Sequence, residues 1–145
     1  MQQEDIKYLL KLNSVIFRSS QVYLDKVLKE YELSSGSYPY LLILKDNEGI
    51  SQSKISEELV RDKAMTARTI TKLIKLGYID KRKDESNYKS NKIYLTDKAQ
   101  AVIVQVIDKI DNLIQLMTTD LSEQEKLNTL ESMNKILNNI KKLSQ

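Results

Sequence analysis

Over residues 4–31, apolar side chains recur at three- and four-residue steps: Ile6, Leu9, Leu10, Val15 or Ile16, Phe17, Leu24, Val27, Leu28 and Tyr31. That period predicts one long amphipathic helix. The pattern breaks at Ser34-Ser35-Gly36. A second helix is expected from about Ser37-Tyr38-Pro39, because proline suits a first turn, where no amide donor is needed. Tyr40, Leu41, Ile43 and Leu44 supply its inner face, and the polar run 46–49 ends it. Ile50 reads as a very short strand or extended residue.

Residues 51–96 change period twice. Ser51 is a suitable N-cap for a short third helix with Ile55 and Leu59 inward, and Asp62 caps a fourth over 63–76. Gly77 then falls where a left-handed C-cap is wanted. Two β-type runs follow, Tyr78-Ile79-Asp80-Lys81 and Lys92-Ile93-Tyr94-Leu95, joined by a polar tip, which together read as a hairpin. Thr96 caps a long fifth helix carrying Val102, Val106, Ile110, Leu113, Ile114 and Met117. Ser122 and Glu125 form a capping box for a sixth, striped by Leu127 or Leu130, Met133, Ile136, Leu137, Ile140 and Leu143. The order is a helix–turn–helix with a β-hairpin wing, set between long helices. The fold class is therefore mainly α with a small β-hairpin. Residues 36–96 form the winged helix–turn–helix domain, and 1–35 with 97–145 form a helical dimerisation region. The terminal helices have wide apolar faces and no sheet to cover, so a second copy of the chain is the expected partner.

Placing residues of the fourth helix 100° apart separates two faces. With Ile70 as the inward reference, Thr66, Leu73 and Ile74 lie within about 60° of it. Ala64, Met65, Arg68, Lys72 and Lys75 lie opposite, with Thr69 and Thr71 on the shoulders. The DNA major groove accepts such a face: arginine bonds guanine O6 and N7 together, and methyl-bearing side chains touch thymine methyls. Residues 63–68, Lys63 among them, are expected to reach base edges, and Lys72 and Lys75 to meet phosphate. Met65 either faces the groove or fills the gap to the third helix. Ser51 and Ser53, at the start of that helix, suit a phosphate through its free amides.

Charge supports this reading. The chain carries only +3, but residues 61–98 hold 11 Lys/Arg against 5 Asp/Glu, or +6, and the rest hold 12 against 15, or −3. A basic centre between mildly acidic helical arms suits docking on phosphate. With no cysteine and no histidine, disulfides, thiol nucleophiles, thiolate metal sites and the commonest general base are all excluded. No pair of carboxylates is placed for catalysis, so no enzyme, cofactor or metal is expected. Residues 1–20 contain Glu4, Asp5, Lys7, Lys11 and Arg18 with no apolar run, and no segment approaches the roughly 20 apolar residues that span a bilayer. This predicts a cytoplasmic protein with no membrane partner.

The run D62-K-A-M-T-A-R-T-I-T-K-L-I-K-L-G-Y-I79 and the run K92-I-Y-L-T96 resemble the recognition helix and the wing-closing strand of the multiple-antibiotic-resistance regulator (MarR) family. The six-helix layout with one wing extends the resemblance over essentially the whole chain. It implies a homodimeric transcriptional regulator, a repressor by default, reading a pseudo-palindromic duplex with two recognition helices about 34 Å apart. One position departs from the pattern. The family's Asp-x-Arg in the wing falls here on Asn87-Tyr88-Lys89. Lysine keeps the charge but lacks the planar fork suited to a narrow minor groove, so this wing is expected to add affinity more than sequence choice. Lys81, Arg82 and Lys83 are expected phosphate contacts at the wing base. The resemblance also implies a small organic effector near the helical junction, where Phe17, Arg18, Tyr38 and Tyr40 are the candidate lining; ordinary core aromatics are the competing account. The alternative function is a winged-helix protein-interaction module without specific DNA binding.

Overall fold

The computed structural model describes residues 1–144; the side chains of Tyr88 and Lys89 lie outside the described residues. Among the described residues there are six α-helices: α1 (Gln3–Val27), α2 (Tyr38–Asp46), α3 (Gln52–Glu58), α4 (Lys63–Lys75), α5 (Asp97–Met117) and α6 (Glu123–Leu143). Three strands, β1 (Ile50–Ser51), β2 (Ile79–Asp84) and β3 (Asn87–Leu95), form an antiparallel sheet in the order β1-β3-β2. The architecture is a winged helix–turn–helix with long flanking helices.

The first helix is shorter than its apolar period suggests. It stops at Val27, Leu28 caps it, and a 3-10 turn covers Lys29–Tyr31. Glu32 then takes a left-handed conformation at φ 56°, and the Leu33 amide bonds back to the Leu28 carbonyl at 3.2 Å. The reversal brings Leu28 and Leu33 into one core, which a continued helix would not do. Tyr31 Oη donates to Gln105 Oε1 at 2.9 Å, and Lys109 lies 3.6 Å from Glu30, so α5 holds this turn.

The chain divides into two compact units, one through Ile110 and one from Asp111 onward. The core of the first is built by Leu24, Leu28, Tyr40, Leu41, Leu44, Ile55, Ile70, Leu73, Ile93 and Val106, all within a few per cent of full burial. On α5 the buried positions are Ala99, Ile103 and Val106; Ile103 occupies the inner position expected for Val102, which sits beside it half-buried. In the second unit α6 starts with the anticipated capping box: the Glu125 amide donates to Ser122 Oγ at 3.2 Å, and the Ser122 amide to Glu125 Oε2 at 2.8 Å. Its apolar stripe is uncovered, from 41% exposure at Ile136 to 84% at Leu143. Much of α1 is likewise apolar and exposed, including Leu10, Val15 and Phe17.

Candidate nucleic-acid interface

The fourth helix is fixed at both ends by its own sequence. At the start, Asp62 Oδ1 accepts the Met65 amide at 2.6 Å. At the end, Gly77 takes φ 80°, and the Gly77 and Tyr78 amides bond to the carbonyls of Ile74 and Leu73. A side chain at Gly77 would be strained at that φ. The carbonyls left over are met from the start of α5: Thr96 Oγ1 donates to Gly77 O at 2.6 Å and Lys98 Nζ to Leu76 O at 2.5 Å. Thr96 Oγ1 also accepts the Ala99 amide at 3.2 Å, capping α5. Leu76-Gly77 and Leu95-Thr96 are therefore two halves of one hydrogen-bonded junction.

Beyond that junction, Tyr78 is buried, and its hydroxyl donates to Tyr31 O at 2.7 Å. Burial, with help from nearby Glu32 and Tyr31, raises its pKa above the ordinary tyrosine value, so the hydroxyl stays a donor. Lys98 Nζ lies 4.6 Å from the Tyr78 ring centroid.

Between its ends, α4 buries Thr66, Ile70 and Leu73. Tyr40 Oη and Thr66 Oγ1 share a buried hydrogen bond of 3.2 Å, which satisfies the polar atom on this inner stripe. Ile74, expected inside, is 38% exposed: the covered stripe is centred on Ile70, and Ile74 falls at its margin. Lys63, Ala64, Arg68, Lys72 and Lys75 are exposed, and Thr69 is half-buried. Met65 remains on the surface with them, at 40% exposure. Arg61, by contrast, is used structurally. Its Nη1 donates to Gly36 O at 2.7 Å, and its guanidinium lies 5.5 Å from the Tyr40 ring centroid.

A polar cleft of about 130 Å³ adjoins the start of α4. It is lined by Ser51, Gln52, Ser53, Ser56 and Lys63 together with Ser90 and Asn91 of the wing. Ser51, Ser53 and Lys63, separately assigned from the sequence, thus meet in one place. Ser51 Oγ accepts the Lys54 amide at 3.1 Å, as an N-cap should. Ser90 and Asn91 were not anticipated. They reach the cleft because β3 is longer than its apolar run, and no local pattern marks that.

The pairing of the wing strands sets which way its cations face. Ile79, Lys81 and Lys83 pair with Leu95, Ile93 and Asn91, whereas Asp80 and Arg82 pair with Tyr94 and Lys92. Side chains alternate along a strand, so Lys81 and Lys83 lie on one face of the sheet and Arg82 on the other. The three cations expected to contact phosphate at the wing base therefore divide between the two faces of the sheet. Arg82 Nη2 lies 3.7 Å from Asp80 Oδ2, and its guanidinium sits 4.3 Å from the Tyr94 ring centroid. At the tip, Asp84 Oδ1 accepts the Ser86 amide at 3.0 Å and the Ser86 hydroxyl at 2.7 Å. These bonds pull the Asp84 carboxyl below its ordinary pKa. Asn87 stands opposite Asp84, and the register then shifts, with Asn91 opposite Lys83. The Lys89 side chain lies outside the described residues.

The four residues expected to line an effector site are not gathered. Phe17 and Arg18 are exposed on α1, and Tyr38 is half-buried with its pKa raised mainly by burial. Tyr40 is fully enclosed in the core; packing against Thr66 and Arg61 removes it from any ligand surface. A groove of about 590 Å³ between the end of α2, the end of β3 and α5 is lined by Lys45, Asp46, Glu48, Leu95, Gln100, Ile103 and Val104, and by none of those four. Among the described residues no cluster of Cys, Asp or Glu could hold a metal ion, and no helix is long and apolar enough to cross a membrane.

The model of the MarR family matches residues 33–90, from just before the second helix into the last strand of the wing. The HTH-type transcriptional regulator BilQ of Clostridioides difficile (strain CD3) is 31% identical over 90% of this chain and 88% of its own length. The chain belongs to the MarR family. Its fold matches that of a MarR transcriptional regulator from Methanosarcina mazei Go1 with a TM-score of 0.90, at 26% identity over 94% of this chain and 99% of that one. A MarR family regulator from Listeria monocytogenes, solved in complex with a 26mer DNA, matches with a TM-score of 0.86 at 27% identity, over 90% of this chain and 87% of that one. MarR members are transcriptional regulators, not enzymes.

Proposed function

We propose that this MarR protein is a homodimeric, sequence-specific DNA-binding regulator, a repressor that occludes its promoter and is released by a small organic effector. The observation that carries the reading is the two-sided recognition helix. One side of α4 is buried through Thr66, Ile70 and Leu73, and the other exposes Arg68, Lys72 and Lys75 beside Ala64 and Met65. Arg68 is the base-reading residue, with Met65, Ala64 and Thr69 supplying methyl contacts, and Lys72 and Lys75 meet phosphate. The polar cleft holding Ser51, Ser53 and Lys63 supports a second phosphate contact. A protein-docking role for α4 is disfavoured, because interface cores are depleted of lysine.

The uncovered apolar stripes of α1 and α6 support the dimer. Two copies present two α4 helices to half-sites one DNA turn apart, about 34 Å. The repressing sense and the effector rest on likeness to the family. Phe17, Arg18 and Tyr38 stay as the effector candidates, without Tyr40.

Selection of duplexes from a random library by the purified protein tests the reading. The expected product is a pseudo-palindrome whose binding falls steeply with added salt. Recovery of no enriched sequence, or full retention of the selected duplex by Arg68→Ala, overturns it.

A further inference from the structure

The outer face of the wing carries a cluster that the recognition helix does not explain. Asp80 and Arg82 of β2 face Tyr94 and Lys92 of β3 across the strands. Beneath Tyr94 lies Gly49, held at φ 80° by the turn into β1, with its amide donating to Ile93 O at 2.8 Å. A Cβ at Gly49 would come within 3.2 Å of the Tyr94 hydroxyl and 3.5 Å of its ring. The glycine therefore does two things: it makes a turn other residues resist, and it leaves room for an aromatic ring beside the backbone. Arg82 is stacked on that ring at 4.3 Å from its centroid, and yet its side chain is 63% exposed.

We propose that Tyr94 is a positioning residue for DNA binding: its ring, seated beside Gly49, orients the Arg82 guanidinium so that its open edge, next to Lys92, meets a backbone phosphate. The inference rests on the DNA-binding reading above, takes Arg82 from its expected phosphate contacts, and extends it to Tyr94 and Gly49, which that reading does not use. The physical reason is entropy. An arginine on an exposed strand must give up rotamer freedom to make a two-pronged phosphate bond. Stacking on an aromatic face fixes the plane of the guanidinium beforehand and leaves its N–H groups free at the rim. Asp80, 3.7 Å away, is itself exposed, so its pairing with Arg82 is weak and yields to a phosphate. The arrangement also fits the altered wing tip. Where the family pattern places its wing arginine, this chain has Lys89, so Arg82 is the planar cation left on the hairpin.

The test is a double-mutant cycle on a duplex selected by the wild-type protein, read against salt concentration. Arg82→Ala is expected to weaken binding of every duplex alike and to lower the log–log salt slope by about one for each wing. Tyr94→Leu, which keeps apolar bulk but removes the ring, is expected to weaken binding about two- to fivefold, the worth of an exposed stacking contact. In the Arg82→Ala background the same change is expected to do nothing, and Tyr94→Phe restores binding in the Arg82 background. Arg82→Lys, an exposed change that leaves the core untouched, keeps the charge but is expected to lose the dependence on Tyr94. Equal losses from Tyr94→Leu in both backgrounds, or an Arg82→Lys protein that still responds to Tyr94→Leu, overturn this inference while the DNA-binding reading stands. A wild-type protein that selects no duplex overturns both.

Discussion

Helices α4 and α6 are both regular and amphipathic, yet single chains complete them differently. On α4 the apolar stripe is finished inside one chain, with Thr66, Ile70 and Leu73 at most 1% exposed, and what remains on the surface is cationic. On α6 the polar side faces water and the apolar stripe remains, Met133, Ile136, Leu137 and Ile140 each more than 40% exposed. Each helix therefore leaves one face exposed. Lysine and arginine beside small methyl-bearing residues suit a polyanion with a readable groove, whereas an uncovered leucine and isoleucine stripe suits another apolar surface. On the proposed reading the first face serves DNA and the second serves assembly, so the two can be broken independently.

The largest expected effect is on the finished stripe. Leu73→Ala removes a fully buried side chain and is expected to cost about 2–5 kcal/mol of stability, read by denaturant unfolding. If Leu73→Ala left the unfolding midpoint unchanged, α4 would not be anchored as described. On the unfinished stripe, Leu137→Glu is expected to leave the single chain folded while dissociating the proposed dimer. Losing the paired half-sites should then weaken operator binding by about a hundredfold or more, checked by sedimentation alongside binding. A monomeric variant that bound the full operator normally would sever assembly from DNA reading.

On the cationic face, Arg68→Ala is expected to cost about 1–3 kcal/mol per half-site and to relax the preference at one base pair. A smaller effect belongs to the wing. Lys89→Ala should weaken all duplexes alike and reduce the salt slope by about one, without changing the preferred sequence. A shifted preference would mean that the wing reads bases after all.

The smallest effect is a titration at the wing turn. The Ser86 hydroxyl and amide hold the Asp84 carboxyl below its ordinary pKa. A depressed folded-state value means that the stabilisation is complete above the ordinary carboxylate range, about pH 4, and fades as the pH falls through the lower folded value. The protection of the Ser86 amide, its exchange relative to an unstructured amide at the same pH, is thus expected to fall only in acid, and Asp84→Asn should abolish that dependence. Constant protection down to pH 2 would show that the carboxylate does not hold the turn.

Much of the DNA-binding region was legible before any coordinates. Ser51, Asp62, Gly77, Thr96 and Ser122 each terminate or cap a helix where the residue type suggests. Those signals act within three or four residues, between a side chain and the nearest free amides or carbonyls, so they survive being read one element at a time. The two faces of α4 were legible for the same reason, apart from Ile74 at the margin. What was not legible has another origin. Tyr40 looked available to a ligand, but its burial depends on Thr66 and Arg61, which come from later in the chain. Lys81, Arg82 and Lys83 are adjacent in sequence, but strand pairing places Arg82 on the other face of the sheet from Lys81 and Lys83.

The sequence by itself determined the order of elements, the ends of the helices and which side of the recognition helix is cationic, because each is set by local periodicity or capping chemistry. Only the tertiary structure decided how the wing is faced. The pairing of β2 with β3, the register shift at Lys83/Asp84 and the approach of Gly49 to Tyr94 bring Arg82 onto an aromatic ring and Asn91 into a cleft with Lys63. Such juxtapositions depend on which strands lie side by side, and no run of neighbouring residues encodes that.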